Sequence, residues 1–130
     1  MTAFVRNIAF DCADPYALAR FWSAVTGREP DPEDRPGDPV AVLTMANGER
    51  LYFARVPEGK VVKNRVHLCM QPHADRDAEV DRLLALGAGL AADHRRSDGT
   101  GWAVLTDPEG NEFCLVRSAQ EYAHNPLPDD

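Results

Sequence analysis

Lysine is scarce in this sequence: only two of its fourteen basic residues are lysines, and the rest are arginines. The chain also has 21 acidic residues, which bring the formal net charge to −7. Nucleic acids and anionic membranes repel a chain of this charge, so we expect neither as a partner. A small neutral or cationic ligand is compatible with it. The preference for arginine is typical of a bacterial protein from a GC-rich genome.

Cysteine is also rare, and its three copies, Cys12, Cys69 and Cys114, lie far apart and form no CxxC pair. This spacing argues against a disulfide framework and against a zinc knuckle. Long apolar runs are missing too. No stretch approaches the roughly 18 apolar residues of a membrane span, and the N-terminus lacks a signal-peptide pattern. We therefore expect a protein of the reducing cytoplasm.

What the sequence does contain is an internal repeat. The letters AVLT occur at residues 41–44 and 103–106, and the match extends to AVLTMANGERLYFAR beside AVLTDPEGNEFCLVR. Each copy runs from an apolar stretch through a glycine-containing turn, at Gly48 or Gly110, into a second apolar stretch. That pattern predicts one β-hairpin in each copy.

A helix is predicted upstream of each hairpin. In the first, Asp14 can cap the N-terminus, Pro15 suits the first helical position and Gly27 ends the helix. In the second, Asp75 can cap a helix that Gly87 ends. Each helix has one apolar stripe, formed by Leu18, Phe21, Trp22 and Val25 in the first and by Val80, Leu83 and Leu84 in the second.

A strand precedes each helix, in FVRNIAF and in NRVHLCM, and LAADH adds another strand to the second copy. The corresponding part of the first copy, REPDPEDRPGDP, is acidic and proline-rich and predicts a solvated loop. The whole pattern predicts an α+β fold of two tandem βαβββ-type modules with pseudo-twofold symmetry, whose curved sheets form a cleft. We place the modules at residues 1–58 and 62–118 of a single domain, 1–118. We assign residues 119–130 to a C-terminal tail, of which HNPLPDD, residues 124–130, is expected to be mobile.

Three segments, NIAFDCADPYALARFWSAVTG, KNRVHLCM and TDPEGNEFCLV, resemble the vicinal oxygen chelate superfamily of glyoxalase I, bleomycin-resistance proteins and extradiol dioxygenases. The resemblance spans nearly the whole chain and is greatest to the small bacterial glyoxalase-like domain proteins. For members that catalyse, it implies one divalent metal ion held by the first and last strands of each module. The matching positions in this chain are Asn7, Tyr52, His67 and Cys114.

These four positions offer poor metal ligands. Mg²⁺, Mn²⁺ and Fe²⁺ prefer carboxylates and imidazoles, whereas the set contains an amide, a phenol, one imidazole and one thiol. A zinc ion could use His67 and Cys114 with Asn7 and water, but catalytic zinc sites normally have three good protein ligands. We therefore expect no metal cofactor and interpret the four positions as ligand-binding.

Three residues are candidates for catalysis: His67, Cys114 and Glu112. An imidazole facing Cys114 across the cleft would lower the pKa of the thiol and make it a nucleophile. Because side chains alternate along a strand, Glu112 shares a face with Cys114 and is the best carboxylate for general acid or base catalysis. Trp102 could form a flat wall for an aromatic ligand. The simpler alternatives are a hydrogen-bonded histidine, a small buried thiol, a solvated carboxylate and a core tryptophan.

Three functions remain open at this point. The first is metal-free binding of a small, partly aromatic molecule by Asn7, Tyr52, His67, Trp102 and Cys114. The second is a lyase, isomerase or dioxygenase that has a nonstandard metal shell or acts through His67, Cys114 and Glu112. The third is a regulatory or interaction module with a vestigial cleft. A homodimer is also expected, since pairing between chains would cover open sheet edges.

Overall fold

Two units make up the chain in the computed structural model, which describes residues 1–129. They divide between Val61 and Val62, in the segment that separates the two predicted modules. Each unit combines helix with a small sheet, so the predicted α+β class and the tandem modules are confirmed. The limits of the domain and the cleft stay predictions.

The first unit has the order strand, helix, strand, strand. Its elements are β1 (Ile8–Cys12), α1 (Pro15–Thr26), β2 (Val40–Thr44) and β3 (Arg50–Arg55). In its sheet β3 is central, with β1 parallel and β2 antiparallel to it. Residues 27–39 contain no strand, as predicted for the proline-rich segment, so this module is one strand shorter than the second.

The first helix begins and ends where the sequence predicts. The Asp14 carboxylate accepts a hydrogen bond from the Ala17 amide at 3.2 Å, and a proline follows in the first turn. Gly27 ends the helix because its φ of 73° lies in the left-handed region, which glycine adopts without a steric penalty. The buried face consists of Leu18, Ala19, Phe21 and Trp22.

The second unit has four strands and two helices. Its elements are β4 (Cys69–Met70), α2 (Arg76–Ala85), β5 (Gly89–Asp93), β6 (Ala103–Thr106), β7 (Glu112–Leu115) and α3 (Ala119–His124). The sheet has the order β4-β7-β6-β5, with β4 parallel to β7 and the other pairs antiparallel. Asp75 caps α2 as predicted, through a hydrogen bond from the Ala78 amide at 3.0 Å. Among residues 1–129, no helix has the length and apolar character that a membrane crossing requires.

The repeated sequence forms two equivalent hairpins. In the first, Leu43 pairs with Leu51 across β2 and β3, and in the second Leu105 pairs with Phe113 across β6 and β7. All four side chains are buried. The apolar letters of the repeat are thus explained by core packing, and their alternation with polar letters sets the register of each hairpin.

The C-terminal segment contains a helix and contacts that the sequence did not predict. Residues 119–124 form α3, and the residues after it are held by the buried side chain of Arg117. The Arg117 guanidinium donates hydrogen bonds to the carbonyls of Asn125 and Leu127, at 2.7 and 2.8 Å, and to the Asp129 carboxylate at 2.9 Å. Asp130 lies outside the described residues.

Candidate functional site

The sheet of the second unit has one buried and one half-buried face. Side chains at most 1% exposed alternate along the hairpin on the buried face: Ala103, Leu105, Phe113 and Leu115. The opposite face, which we call the site face, carries the alternate residues and their neighbour on β4, namely Cys69, Trp102, Val104, Glu112 and Cys114. Three of the predicted site residues therefore share one surface.

The cluster on this face consists of His67, Cys69 and Cys114. The imidazole nitrogen and the two sulfur atoms that could each act as a ligand all lie within 4.8 Å of one another. His67 and Cys69 are exposed, whereas the Cys114 side chain is buried. The structure thus brings together two of the predicted residues, His67 and Cys114, and adds a second thiol that the sequence interpretation missed.

Backbone pairing fixes the position of Cys69 beside Cys114. The Cys114 amide donates to the Leu68 carbonyl at 2.9 Å, and the Val116 amide donates to the Met70 carbonyl at 2.9 Å. These two bonds flank Cys69 and set the parallel register in which it lies level with Cys114. His67 lies two residues before Cys69, just ahead of β4, and its imidazole is close to both thiols. The letters HLC in the predicted strand contained this signal, since alternation places the first and third residues on one face.

Burial raises the pKa of the Cys114 thiol, and the neighbouring Cys69 side chain raises it further. The Lys63 ammonium acts in the opposite direction. A thiol of raised pKa contains little thiolate at neutral pH, so Cys114 is a weak nucleophile in this state. Its predicted catalytic role stays a prediction.

Glu112 has a structural contact that sequence reasoning did not foresee. Its carboxylate accepts a hydrogen bond from the Asn64 amide at 3.1 Å, and the Asn64 side chain donates to the Asn111 side chain at 3.3 Å. These contacts hold the segment that leads into His67 against the start of β7. Glu112 therefore positions the approach to β4, and its role as a general acid or base stays a prediction.

Trp102 lies at the edge of the site face, just before β6. Its ring stacks on the ring of His94, with centroids 4.7 Å apart and planes tilted by 32°. The side chain is half-buried, which leaves part of the indole accessible. Trp102 and His94 thus form an aromatic pair at the edge of the site face.

Asn7 and Tyr52 belong to the first unit. Tyr52 lies on β3 and pairs with Ala9 of β1, while Asn7 lies directly before β1. Both side chains are half-buried. Their predicted part in a ligand site stays a prediction.

The donor atoms of the cluster can be compared with the divalent ion that the resemblance implies. Mg²⁺ and Mn²⁺ select carboxylate, carbonyl and water oxygens. The cluster of His67, Cys69 and Cys114 provides two sulfurs and one nitrogen and no carboxylate. These residues therefore do not fit a hard ion.

Two surface concavities lie away from this cluster. One of about 420 Å³ adjoins α3 and includes Arg117, Ser118 and Glu121 among its lining residues. The Glu121 carboxylate is already engaged there, because it accepts hydrogen bonds from the amides of Arg76 and Ser118, both at 2.9 Å. The other, of about 430 Å³, adjoins the loop that follows α1. None of the predicted site residues lines either concavity.

Comparison with known proteins gives one family. The family model described as a glyoxalase-like domain matches residues 7–116, which cover most of both modules and include every predicted site residue. Curated proteins provide no significant sequence match.

Solved structures from three organisms are similar over most of their length. Protein ATC0852 from Agrobacterium tumefaciens superposes with a TM-score of 0.70 at 18% identity, over 91% of this chain and 99% of that one. A glyoxalase/bleomycin resistance protein/dioxygenase family enzyme from Burkholderia phytofirmans superposes with a TM-score of 0.69 at 21% identity, over 88% of this chain and 98% of that one. A point mutant of the fosfomycin resistance protein FosX from Listeria monocytogenes, in complex with Mn(II) and 1S,2S-dihydroxypropylphosphonic acid, superposes with a TM-score of 0.67 at 16% identity, over 98% of this chain and 100% of that one. At these low identities the likeness shows the fold alone.

Proposed function

Because this chain belongs to the glyoxalase-like domain family, and so to the vicinal oxygen chelate superfamily, we propose that it binds a small, partly aromatic molecule on the site face of its second unit. The observation that carries the proposal is the grouping of an exposed imidazole, two thiols and a half-buried indole on one surface of one sheet. Aromatic surface with a few convergent polar groups is the usual composition of a small-molecule site.

Each part of the site face would contribute a different interaction. The Trp102 and His94 rings would stack on a flat ligand. The exposed His67 imidazole can donate or accept a hydrogen bond, and the Glu112 carboxylate adds negative charge near the start of β7. Together with the net charge of −7, this favours a neutral or cationic ligand over an anionic one.

The donor atoms of the cluster, one imidazole nitrogen and two sulfurs, give no support to hard-ion chemistry. We therefore do not extend to this chain the Mn(II) that accompanies FosX. An enzymatic role would act through His67, Cys114 or Glu112, and it would require the same face to bind the substrate first.

A cationic aromatic probe is expected to bind this face in the metal-free protein. In NMR spectra recorded with a chelator present, benzamidine should shift the indole N–H signal of Trp102 and leave that of Trp22, which is 1% exposed, unchanged. His67→Ala should weaken the binding about tenfold, the effect of losing one hydrogen bond of roughly 1.4 kcal/mol. His73→Ala is the matched control, since it removes an exposed imidazole from outside the face.

Two results would count against the proposal. One is a set of benzamidine-induced shifts centred on α3 with no change at Trp102. The other is equal affinity of the His67→Ala and His73→Ala proteins. Benzoate, of similar shape and opposite charge, should bind more weakly than benzamidine, and a reversed order would contradict the assigned electrostatics.

A further inference from the structure

The three donors of the cluster match one class of metal ion. We propose that His67, Cys69 and Cys114 bind a single Zn²⁺ ion, with a fourth coordination position open to solvent or to an incoming ligand. The site lies wholly within the second unit. The ligand set implied by the resemblance includes Asn7 and Tyr52 of the first unit, whereas this site has Cys69 in their place. The zinc site does not depend on the organic ligand proposed above.

The distances within the cluster are close to those of a zinc site. With Zn–S bonds of about 2.3 Å and Zn–N bonds of about 2.0 Å, tetrahedral coordination places ligand atoms about 3.5–3.8 Å apart. The three atoms here lie within 4.8 Å of one another without a metal. His67 and Cys69 are exposed and can change rotamer without disturbing the core, so about 1 Å of closure requires no backbone movement.

The register of the sheet preorganises the site. The hydrogen bonds from the Cys114 and Val116 amides to the Leu68 and Met70 carbonyls hold the two thiols level on adjacent strands. Glu112 holds the segment before His67 through the Asn64 amide. Two ligands are thus fixed by backbone pairing, and the third is tethered two residues away from one of them.

The donor chemistry selects the ion. Two thiolates and an imidazole favour Zn²⁺ over Mg²⁺, Ca²⁺ or Mn²⁺, and two thiolates balance the charge of a divalent ion. Cys114 is only 8% exposed, so the neutral complex can be accommodated at a partly buried position. Three protein ligands with an open position are typical of catalytic zinc sites, whereas structural sites have four.

The experiment uses the full chain, purified with a phosphine reductant and freed of metal by dialysis against a chelator. Zn²⁺ alone is then titrated in competition with a chromogenic chelator, and Co²⁺ is used as a spectroscopic substitute. We expect one ion per chain, a sulfur-to-cobalt charge-transfer band and the visible bands of tetrahedral Co²⁺. Cys69→Ser should weaken Zn²⁺ binding by at least about 100-fold, and His67→Asn should weaken it as well. Cys12→Ala, which changes a thiol of the first unit, should bind Zn²⁺ like the original protein.

Several outcomes would overturn this inference. They are the absence of Zn²⁺ binding by the reduced protein, octahedral Co²⁺ spectra with no thiolate band, and a Cys69→Ser protein that binds as tightly as the original. Formation of a Cys69–Cys114 disulfide so stable that the reductant leaves it intact would also overturn it, since two ligands would be lost. Because the benzamidine experiment is done with a chelator present, a failure of either proposal leaves the other standing.

Discussion

Replacing Gly101 with alanine is expected to destabilise the second unit by about 3 kcal/mol or more, from left-handed backbone strain together with steric overlap. Gly101 has a φ of +90°, and a Cβ atom at this position would overlap the His94 carbonyl oxygen and lie 3.1 Å from the Arg95 Cα. These neighbours are backbone atoms, which cannot move aside as the end of a flexible side chain can. The loop would have to shift away from β5.

The shift would be costly because this loop supplies hydrogen-bond acceptors to a buried cation, whose ion-pair partner is Asp77. Arg76, 3% exposed, donates from one guanidinium nitrogen to the carbonyls of Gly99, Thr100 and Gly101, at 3.1, 2.9 and 2.8 Å. Moving the loop would leave the Arg76 guanidinium with fewer hydrogen-bond acceptors, and a buried charge that loses its partners strongly destabilises the folded state.

Urea unfolding of the full chain measures this effect, with Gly99→Ala as the control. Gly99 also has a positive φ, +92°, but its Cβ would have no atom within 4 Å. The control therefore reports the backbone strain alone, which should cost about 1–2 kcal/mol. Equal losses in the two variants would show that the close approach to His94 is unimportant.

The parts of the fold that the sequence predicts are those with local signals. The repeated AVLT hairpins follow from alternation and a turn glycine, and the first helix follows from Asp14, Pro15 and Gly27. Each of these signals acts within a few residues along the chain. Part of the site face can also be predicted from local signals, because the alternation of side chains along a strand places Glu112 on the same side as Cys114 and His67 on the same side as Cys69.

The parts that the sequence does not predict depend on contacts between distant segments. Arginine is normally exposed, so nothing in the sequence marks Arg76 and Arg117 as buried. Their partners are mainly backbone carbonyls, which every residue possesses. The meeting of Cys69 and Cys114 has the same origin: the two residues are 45 positions apart, and only the parallel pairing of β4 with β7 makes them neighbours.

Replacing Asp129 with asparagine is expected to cost about 2–3 kcal/mol at neutral pH, because it removes the carboxylate that pairs with a buried guanidinium. Arg117 is 1% exposed, and Asp129 is its only carboxylate partner among the ion pairs found in residues 1–129. The same carboxylate accepts hydrogen bonds from the Tyr122 hydroxyl at 2.5 Å and from the Gly101 amide at 2.8 Å. It therefore joins the C-terminal segment both to Arg117 and to the loop around Gly101.

The cost of Asp129→Asn should disappear in acid. Partial burial alone would raise the pKa of the Asp129 carboxyl, but the hydrogen bonds from Tyr122 and Gly101 and the charge of Arg117 outweigh it and hold the pKa below its ordinary value. A carboxyl with a lower pKa in the folded state contributes its full stability above its unfolded pKa of about 4 and loses it as the pH falls through the folded value. The free energies of unfolding of the two proteins should therefore differ at pH 7 and converge below about pH 4.

Asp81→Asn, an exposed change on α2, should have little effect at either pH. A difference between the original protein and Asp129→Asn that stays constant from pH 7 to pH 3 would show that the Asp129 charge does not hold the C-terminal segment in place.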